Sequence, residues 1–284
     1  MKKIKILFRF CFFLKEINIG FSRGSIGALV RNIDDKKPLT WEFSAFSQNG
    51  EDGIIDFLVS KLLHSSKQFV EIGTSNGLAN NTAYFALVKK YSGVMVEGNR
   101  MLSKLTSFIY NIFNKGVVSY NSFVTNENIF DLLEKSPTKS PDIFALDIDG
   151  NDYYLAKSIL LSGFRPSIFV VEYNSNFGPE LAVTIPYTAD FDYSKAHETR
   201  LYYGVSITAW RYLFDEFGYK FITVESNGIN AFFVLRDVFP QDFLLGLKGV
   251  SFIDNKIESQ LFKMPWDERF KLISNLPLNT LIRS

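Results

Sequence analysis

The sequence predicts an α/β protein with a seven-stranded, mostly parallel sheet, helices on both faces of the sheet, and an antiparallel hairpin near its C-terminal end. Two observations predict this fold. Between residues 68 and 173, short apolar runs alternate with segments of helical periodicity, which is the pattern of a parallel sheet covered by helices. Farther along the chain, Asn227-Gly228 separates two apolar runs, and Asn-Gly is a strong hairpin signal.

The composition fits one large domain and excludes several classes of protein. The chain has 284 residues, 46% hydrophobic and 21% charged, so it can bury a sizeable core. With 31 basic and 30 acidic residues the net charge is +1, which argues against binding to nucleic acid through a basic face. The single cysteine, Cys11, excludes an internal disulfide framework, and two histidines, His64 and His197, exclude a multi-histidine metal site.

The first 46 residues are predicted to form a segment apart from the main domain. Residues 1–23 combine basic side chains with an aromatic-rich apolar run, but Arg9 interrupts the run and no signal-peptide cleavage site follows. The run is also shorter than the roughly 20 apolar residues that span a membrane. Two interpretations stay open: a helix packed on the domain or on a second copy of the chain in a homodimer, and an amphipathic segment in peripheral contact with the inner face of a membrane. Both are compatible with a cytoplasmic protein.

The main domain is predicted to span residues 47–240, and its elements follow in order. A first helix is indicated by apolar residues at helical spacing, from Ile54 to Leu62. The predicted strands are 68–72, 93–97, 117–124, 143–148, 167–173, 219–224 and 230–235. The predicted helices between them are 80–91, 101–113, 127–135, 152–161 and 205–217.

Two further segments complete the predicted organisation. Residues 175–204 are polar and aromatic and are too long for an ordinary connection, so we expect a functional loop there. This segment either closes over a site as a lid or packs permanently on the domain as an extra layer. Residues 241–284 are predicted to be a helical extension.

The turn after the first predicted strand is the expected ligand site. Gly73 follows Glu71 there, and glycine lets the backbone bend sharply and approach a ligand closely. About 20 residues farther on, Glu97 ends the second strand, where α/β nucleotide folds hold ribose hydroxyls. The phosphate-binding sequence G-x-x-x-x-G-K-[ST] is absent. A cofactor with ribose hydroxyls and no phosphate at the turn fits best, and S-adenosylmethionine is such a molecule.

A series of motifs resembles the FkbM-type family of class I S-adenosylmethionine-dependent methyltransferases. The similar segments are residues 47–53, 70–77, 80–82, 96–99, 145–152 and 165–172. The resemblance covers residues 47 to about 236. It departs from the wider superfamily at Glu71, where Asp is more usual, and at Ser75, which replaces a glycine. It implies a Rossmann-like sheet and an enzyme that methylates a sugar or glycan-type hydroxyl acceptor, as in polysaccharide biosynthesis.

The resemblance and the strand ends together give a predicted set of site residues. The predicted cofactor-binding residues are Glu51, Glu71, Gly73, Asn76, Gly77, Glu97, Asn99, Ser122, Phe123 and Asp147, with Ser122 and Phe123 beside the adenine. The acceptor side is predicted to lie at the ends of the fourth and fifth strands and in the 175–204 segment, because ligands of open α/β sheets bind at the carboxyl ends of the strands.

Methyl transfer to a hydroxyl needs a group that takes up the hydroxyl proton. The candidate catalytic residues are Asp147, Glu172 and His197, the last because histidine is the side-chain type that ordinarily exchanges a proton near neutral pH. Carboxylate and amide oxygens also suit Mg²⁺, and the predicted metal ligands are Asp147, Asp149, Glu172 and Asn174. The alternative is that Asp149 and its neighbour Asp152 only shape a turn and cap a helix.

Two other functions stay open at this point. One is a catalytically silent protein that keeps the methyltransferase fold for binding or assembly, since a fold does not imply a function. The other is an NAD-dependent Rossmann enzyme, which is disfavoured because the Gly-x-Gly-x-x-Gly spacing is absent.

Overall fold

A seven-stranded sheet forms the centre of the computed structural model, which describes residues 2–283 and the side chains of residues 14–27 and 29–283. Its strands are β1 (Gln68–Ile72), β2 (Ser92–Glu97), β3 (Val117–Asn121), β4 (Ile143–Leu146), β5 (Ile168–Glu172), β7 (Tyr219–Val224) and β8 (Asn230–Leu235). A separate two-stranded antiparallel sheet pairs β6 (Val183–Thr184) with β9 (Asn279–Thr280).

The order of strands in the main sheet is β3-β2-β1-β4-β5-β8-β7. Strands β1 to β5 are parallel, whereas β8 is antiparallel to both β5 and β7. The predicted fold class is therefore confirmed, including the antiparallel hairpin and the placement of Glu71 and Glu97 on adjacent parallel strands. The chain reverses its direction of winding between β1 and β4, and ligands of open α/β sheets bind at such a switch point.

Helices cover both faces of the sheet. They are α1 (Lys2–Val30), α2 (Glu51–Ser60), α3 (Ala83–Leu87), α4 (Arg100–Phe113), α5 (Ile129–Leu133), α6 (Asp152–Leu161), α7 (Tyr193–Ala196), α8 (Ile207–Glu216), α9 (Gln241–Gly246), α10 (Lys256–Phe262) and α11 (Trp266–Lys271). Successive residues of β1 point to opposite faces. Phe69 belongs to the buried cluster that contains residues of α2, α3 and α4, and Val70 belongs to the cluster that contains residues of α5, α6 and α8.

Six elements are shorter than the sequence predicts: α3, α5, α8, β3, β4 and β5. In two of them, α3 and β4, a carboxylate limits the element. The helix predicted at 80–91 is confined to α3 because the backbone N–H groups of Asn81 and Thr82 donate to the carboxylate of Glu71 instead of continuing a helix. The strand predicted at 143–148 ends at Leu146, since the N–H of Ile148 donates to Asp152 rather than to a neighbouring strand. In both places a carboxylate accepts backbone N–H groups that the predicted helix or strand would otherwise use for its own hydrogen bonds.

The C-terminal half of α1 packs on the domain through glycines. A Cβ atom on Gly20 would lie 2.4 Å from the ring of Phe46, and one on Gly27 would lie 2.8 Å from Phe43. The other side of this half carries exposed Ile26 and Leu29. The side chains of residues 1–13 lie outside the described residues, so the predicted membrane or dimer contact of residues 1–23 stays a prediction. No described helix is both long and apolar enough to cross a membrane.

The 175–204 segment and the C-terminal extension pack against each other. Phe177, Ile185 and Leu201 of the segment form a buried cluster with Ile273 of the extension. The guanidinium of Arg269, which is fully buried, joins the two parts. It donates to Asp254 at 2.5 Å, to Asn176 at 2.6 Å and to the carbonyl of Met264 at 2.7 Å. It also forms an ion pair with Glu258 at 3.6 Å.

Loss of this buried arginine is expected to destabilise the domain strongly. In Arg269→Ala, the carboxylates of Asp254 and Glu258 lose their partner, and breaking a buried ion pair on one side costs about 3–5 kcal/mol. The matched control is Arg236→Ala, which removes a half-exposed pair with Asp215 and should cost less than about 1 kcal/mol. Urea unfolding followed by circular dichroism measures both free energies of unfolding. Equal losses of unfolding free energy in the two variants would contradict the stabilising role assigned to Arg269.

Candidate functional site

A cleft of about 450 Å³ opens at the carboxyl ends of β1, β2 and β4, at the switch point of the sheet. Its walls come from the turn after β1, the end of β2, the segment after β3 and the segment after β4. The lining residues that the sequence predicted are Gly73, Glu97, Asn99, Ser122, Phe123, Asp147 and Asp149. Thus the fold brings most of the predicted nucleoside-binding residues together around one cavity.

Gly73 is required by the close approach of β1 to β4. Its φ is +89°, and a Cβ atom there would lie 1.6 Å from the carbonyl oxygen of Asp147. Only glycine avoids both the unfavourable φ and this overlap. The N–H of Gly73 donates to the carbonyl of Val96 at 2.9 Å. The turn is therefore held against β2 and β4 at the floor of the cleft.

Glu97 holds its carboxylate at the edge of the cleft through two backbone donors. One oxygen accepts the N–H of Ser75 at 2.7 Å, and the other accepts the N–H of Asn99 at 2.7 Å. An ionised carboxylate can accept about four hydrogen bonds. The carboxylate is thus fixed in position and still has acceptor capacity for hydroxyl groups of a ligand.

A second, smaller cavity adjoins the cleft, and we call it the polar pocket. It has a volume of about 260 Å³ and shares Gly73, Ser75 and Asp147 with the cleft. Its lining residues are Ser47, Gln48, Asn49, Glu51, Glu71, Gly73, Ser75, Ala79, Asn80, Asn81, Asp147, Glu172, Ile229 and Asn230. Among these described residues, four carry carboxylates and none is lysine, arginine or histidine. The polar pocket is therefore an acidic cavity.

Two of these four carboxylates are engaged by neighbouring groups. Glu71 accepts the N–H of Asn81 at 2.9 Å and the N–H and hydroxyl of Thr82. Burial raises the pKa of Glu71 to about 7 in spite of these hydrogen bonds. Glu51 accepts the N–H of Asn49 at 2.6 Å and the side-chain amide of Asn230 at 2.9 Å. Both therefore help to build the walls of the polar pocket.

The other two carboxylates, Asp147 and Glu172, form a cluster with Asp149, and none of the three has a hydrogen-bond or ion-pair partner among the described side chains. Oxygens of Asp147, Asp149 and Glu172 lie within 4.8 Å of one another. Burial raises the pKa of Asp147 and of Glu172 well above the ordinary range, and the neighbouring carboxylates raise both further. Desolvation, and then the charge of Asp152, raises the pKa of Asp149 to about 6. Burial and mutual repulsion therefore favour the protonated forms of these carboxylates.

Asp149 and Asp152 differ in their environments. Asp152 is buried and accepts the N–H of Ile148 at 2.9 Å and the N–H of Gly150 at 2.9 Å, so it shapes the turn before α6. Asp149 has a φ of +55°, which is uncommon for a residue other than glycine. Its exposed side chain lines the cleft. Of the two residues, Asp152 is therefore the one with the purely structural role, in which it shapes the turn before α6.

Two predicted residues lie apart from the carboxylate cluster. The side-chain N–H₂ of Asn174 donates to the carbonyls of Leu201 and Tyr203, and its oxygen accepts two hydrogen bonds from Asn176. Asn174 is thus fully engaged in holding the 175–204 segment. His197 follows α7 and lines neither the cleft nor the polar pocket.

Asn76 and Gly77 shape the turn between β1 and α3. The side-chain oxygen of Asn76 accepts the N–H of Leu78 at 2.9 Å and of Ala79 at 3.0 Å. Gly77 has a φ of +74°, and a Cβ atom there would lie 2.6 Å from the hydroxyl of Thr106. These two residues act on the cavities through the path of the backbone, because neither lines the cleft or the polar pocket.

The sequence did not mark Asn230 as a site residue. It is only 4% exposed, lines the polar pocket and pairs in register with Glu172. Only the pairing of β5 with β8 brings these two residues together, and no local motif signals it. Phe191 of the 175–204 segment lines the cleft beside Gly150. In the sequence, only the aromatic character of the 175–204 segment indicated that Phe191 could line a site.

Comparison with known proteins gives structural neighbours only. No protein-family model matches the chain, and no curated protein matches it, so the FkbM-type assignment stays a prediction. A SAM-dependent methyltransferase from Aquifex aeolicus is 11% identical, with a TM-score of 0.37, over 63% of this chain and 88% of that chain. An O-methyltransferase from Bacillus cereus in complex with SAH is 14% identical, with a TM-score of 0.38, over 59% and 72%.

A third neighbour is an SAH-bound methyltransferase from Podospora anserina, 15% identical with a TM-score of 0.38, over 60% of this chain and 71% of that chain. At these identities the likeness concerns the arrangement of strands and helices alone. What the site does has to be inferred from its own residues.

The raised pKa of Glu71 predicts a decrease in stability with rising pH. Its pKa is 4.5 ordinarily and about 7 in the folded chain, so between these values the native state binds a proton that the unfolded state lacks. The free energy of unfolding therefore falls as the pH rises from about 4.5 to about 7. Asp52 and Glu225, with pKa values also raised by burial to about 7, act in the same direction.

In Glu71→Gln one of these three contributions is absent, so we expect a shallower dependence of the unfolding free energy on pH. Urea unfolding at several pH values between 4.5 and 7 measures it. Glu268→Gln, which changes an exposed carboxylate, is the charge-matched control and should keep the wild-type slope. A wild-type slope in Glu71→Gln as well would contradict the role assigned to Glu71.

Proposed function

We propose that the protein is an S-adenosylmethionine-dependent O-methyltransferase that acts on a sugar or glycan-type hydroxyl. One observation carries this proposal: a cleft with a fixed carboxylate at the end of β2 adjoins an acidic pocket that has no basic lining residue among those described. A nucleoside that carries positive charge beyond its ribose matches this pair of cavities. S-adenosylmethionine has that form, because its sulfonium and its amino group are both cations.

The residues present fit this cofactor. Glu97 has acceptor capacity for ribose hydroxyls, and Ser122 and Phe123 line the part of the cleft assigned to adenine. Asp147 belongs to both cavities and would face the cationic part. When bound, the cofactor supplies an electrophilic methyl group. A dinucleotide fits less well, since its pyrophosphate would meet no lysine or arginine among the described lining residues.

The chain's own contribution to transfer is alignment and removal of a proton. Holding an acceptor hydroxyl in line with the methyl group can supply about 7–11 kcal/mol of the barrier. We assign the general base to Asp147 or Glu172, because both line the polar pocket and both have raised pKa values. A base with a pKa near working pH gives about 10²–10⁴-fold acceleration. Of the candidate catalytic residues, His197 is the least favoured by its position.

A divalent cation such as Mg²⁺ is the alternative to a carboxylate base in this proposal. Three carboxylates within 4.8 Å are hard oxygen ligands of the kind Mg²⁺ prefers. Asp147, Asp149 and Glu172 would hold the ion, whereas the hydrogen bonds of Asn174 leave it no part in that set. A bound cation would lower the pKa of an acceptor hydroxyl.

Replacement of Glu97 should weaken cofactor binding. In Glu97→Ala, the ribose acceptor is lost and the N–H groups of Ser75 and Asn99 lose their partner. We expect at least a tenfold lower affinity for S-adenosylhomocysteine, measured by titration calorimetry. Glu268→Gln serves as the control with unchanged affinity. Wild-type affinity in Glu97→Ala would contradict the assigned cofactor site.

Methyl transfer itself is tested with labelled S-adenosylmethionine and a pool of nucleotide sugars and glycans. We expect a labelled product with the wild type and at least a hundredfold lower rate in Asp147→Asn. If Mg²⁺ takes part, EDTA lowers the rate, added Mg²⁺ restores it, and the affinity for S-adenosylhomocysteine does not change. Cofactor binding without transfer to any acceptor would instead support a silent binding protein.

A further inference from the structure

The described part of α1 turns its smallest residues toward the domain. Gly20, Gly24 and Gly27 lie so close to the domain that a Cβ atom on any of them would be 3.0 Å or less from a side chain. Among the larger apolar residues of α1 whose side chains the structure describes, Ile17 is the one that is buried. Three others are more than half exposed: Ile26, Leu29 and Val30. A helix that only covered the domain would bury these side chains, because burial of large apolar groups stabilises packing.

The outward face of α1 combines apolar side chains with positive charge. Lys15 and Arg23 lie on the same face as Ile19 and Ile26, since all four line one groove on the surface of the helix. Both basic side chains are exposed, and neither forms an ion pair with a described residue. This face is therefore both apolar and cationic, and its charges are free to bind an anionic surface.

The first 23 residues carry positive charge out of proportion to the rest of the chain. They hold six basic residues and one acidic residue, a net charge of +5, whereas the whole chain has a net charge of +1. The remaining residues are therefore acidic overall. A second copy of the chain is disfavoured as the occupant of the outward face, because pairing two such helices would bring like charges together. An anionic lipid membrane offers negative charge and an apolar interior side by side.

We propose that the outward face of α1 docks on the surface of an anionic lipid membrane. Ile26 and Leu29 enter the boundary between headgroups and acyl chains, and Lys15 and Arg23 bind lipid phosphates. This inference goes beyond the proposed function and does not depend on it, because the outward face of α1 belongs to neither the cleft nor the polar pocket.

The first test measures binding of the full chain to vesicles by flotation. One kind of vesicle contains phosphatidylcholine alone, and the other contains phosphatidylcholine and phosphatidylglycerol in equal parts. We expect at least tenfold tighter binding to the anionic vesicles and a loss of that binding in high salt, since salt screens exposed charges. Equal binding to both vesicles, or binding to neither, would overturn the proposal. Methyl transfer is not part of this readout, so a failure here leaves the proposed function untouched.

Variants on the outward face locate the contact. Ile26→Asp and Leu29→Asp should each weaken binding to the anionic vesicles at least tenfold. Lys15→Gln should weaken it about fivefold, which is the contribution of one basic residue near an anionic surface. The matched controls Leu261→Asp and Lys271→Gln change exposed residues of α10 and α11 and should bind as the wild type does. Undiminished binding in both aspartate variants of α1 would contradict the proposal.

Sedimentation of the lipid-free protein tests the competing occupant, a second copy of the chain. We expect Ile26→Asp to keep the oligomeric state and the free energy of unfolding of the wild type, because Ile26 is 61% exposed. A lipid-free dimer that this variant separates into monomers would show that a second copy covers the outward face, and the proposal would be wrong.

Discussion

Negative charge gathered at the carboxyl end of the sheet is the constraint on which the rest of this structure depends. A buried carboxylate is costly unless it is hydrogen-bonded or paired with a cation. Asp52, Glu71 and Asp152 meet this requirement with backbone N–H donors, and in doing so they set the loop before α2, the start of α3 and the turn before α6. Asp147 and Glu172 have no such partners among the described residues. Because both of them line the polar pocket, they are available to a ligand.

The 175–204 segment is held by the same kind of interaction. Glu258 of the C-terminal extension accepts the side-chain amide of Asn176 at 2.8 Å and the hydroxyl of Tyr203 at 3.2 Å. Arg269, buried beside it, supplies the positive charge that the neighbouring carboxylates need. The first part of the 175–204 segment is thereby packed into the domain, with Phe177 and Ile185 fully buried. This first part of the segment is therefore an extra layer packed on the domain. A later part of the segment reaches the cleft through Phe191.

Much of the cleft could be predicted from the sequence, because many of the residues that line the cleft lie at the ends of parallel strands. Once β1 and β2 are recognised from their apolar runs, Gly73 and Glu97 must meet at one edge, since neighbouring parallel strands have their carboxyl ends together. The same reasoning placed Asp147 and Glu172 beside the cleft. The same reasoning was wrong for Asn174, which also follows a strand. Its side-chain N–H₂ group points toward the 175–204 segment and donates to two backbone carbonyls there.

By itself, then, the sequence determined the order and type of the main strands, the glycine at the first turn and the carboxylates at the strand ends. These follow from local periodicity and from the geometry of parallel strands. Only the tertiary structure decided which carboxylates are satisfied and which are free, since that depends on backbone donors such as those of Asn81 and Thr82, turned toward Glu71 by the path of the chain. It also decided that Asn230 lies beside Glu172, because the register of two antiparallel strands far apart in sequence sets that contact.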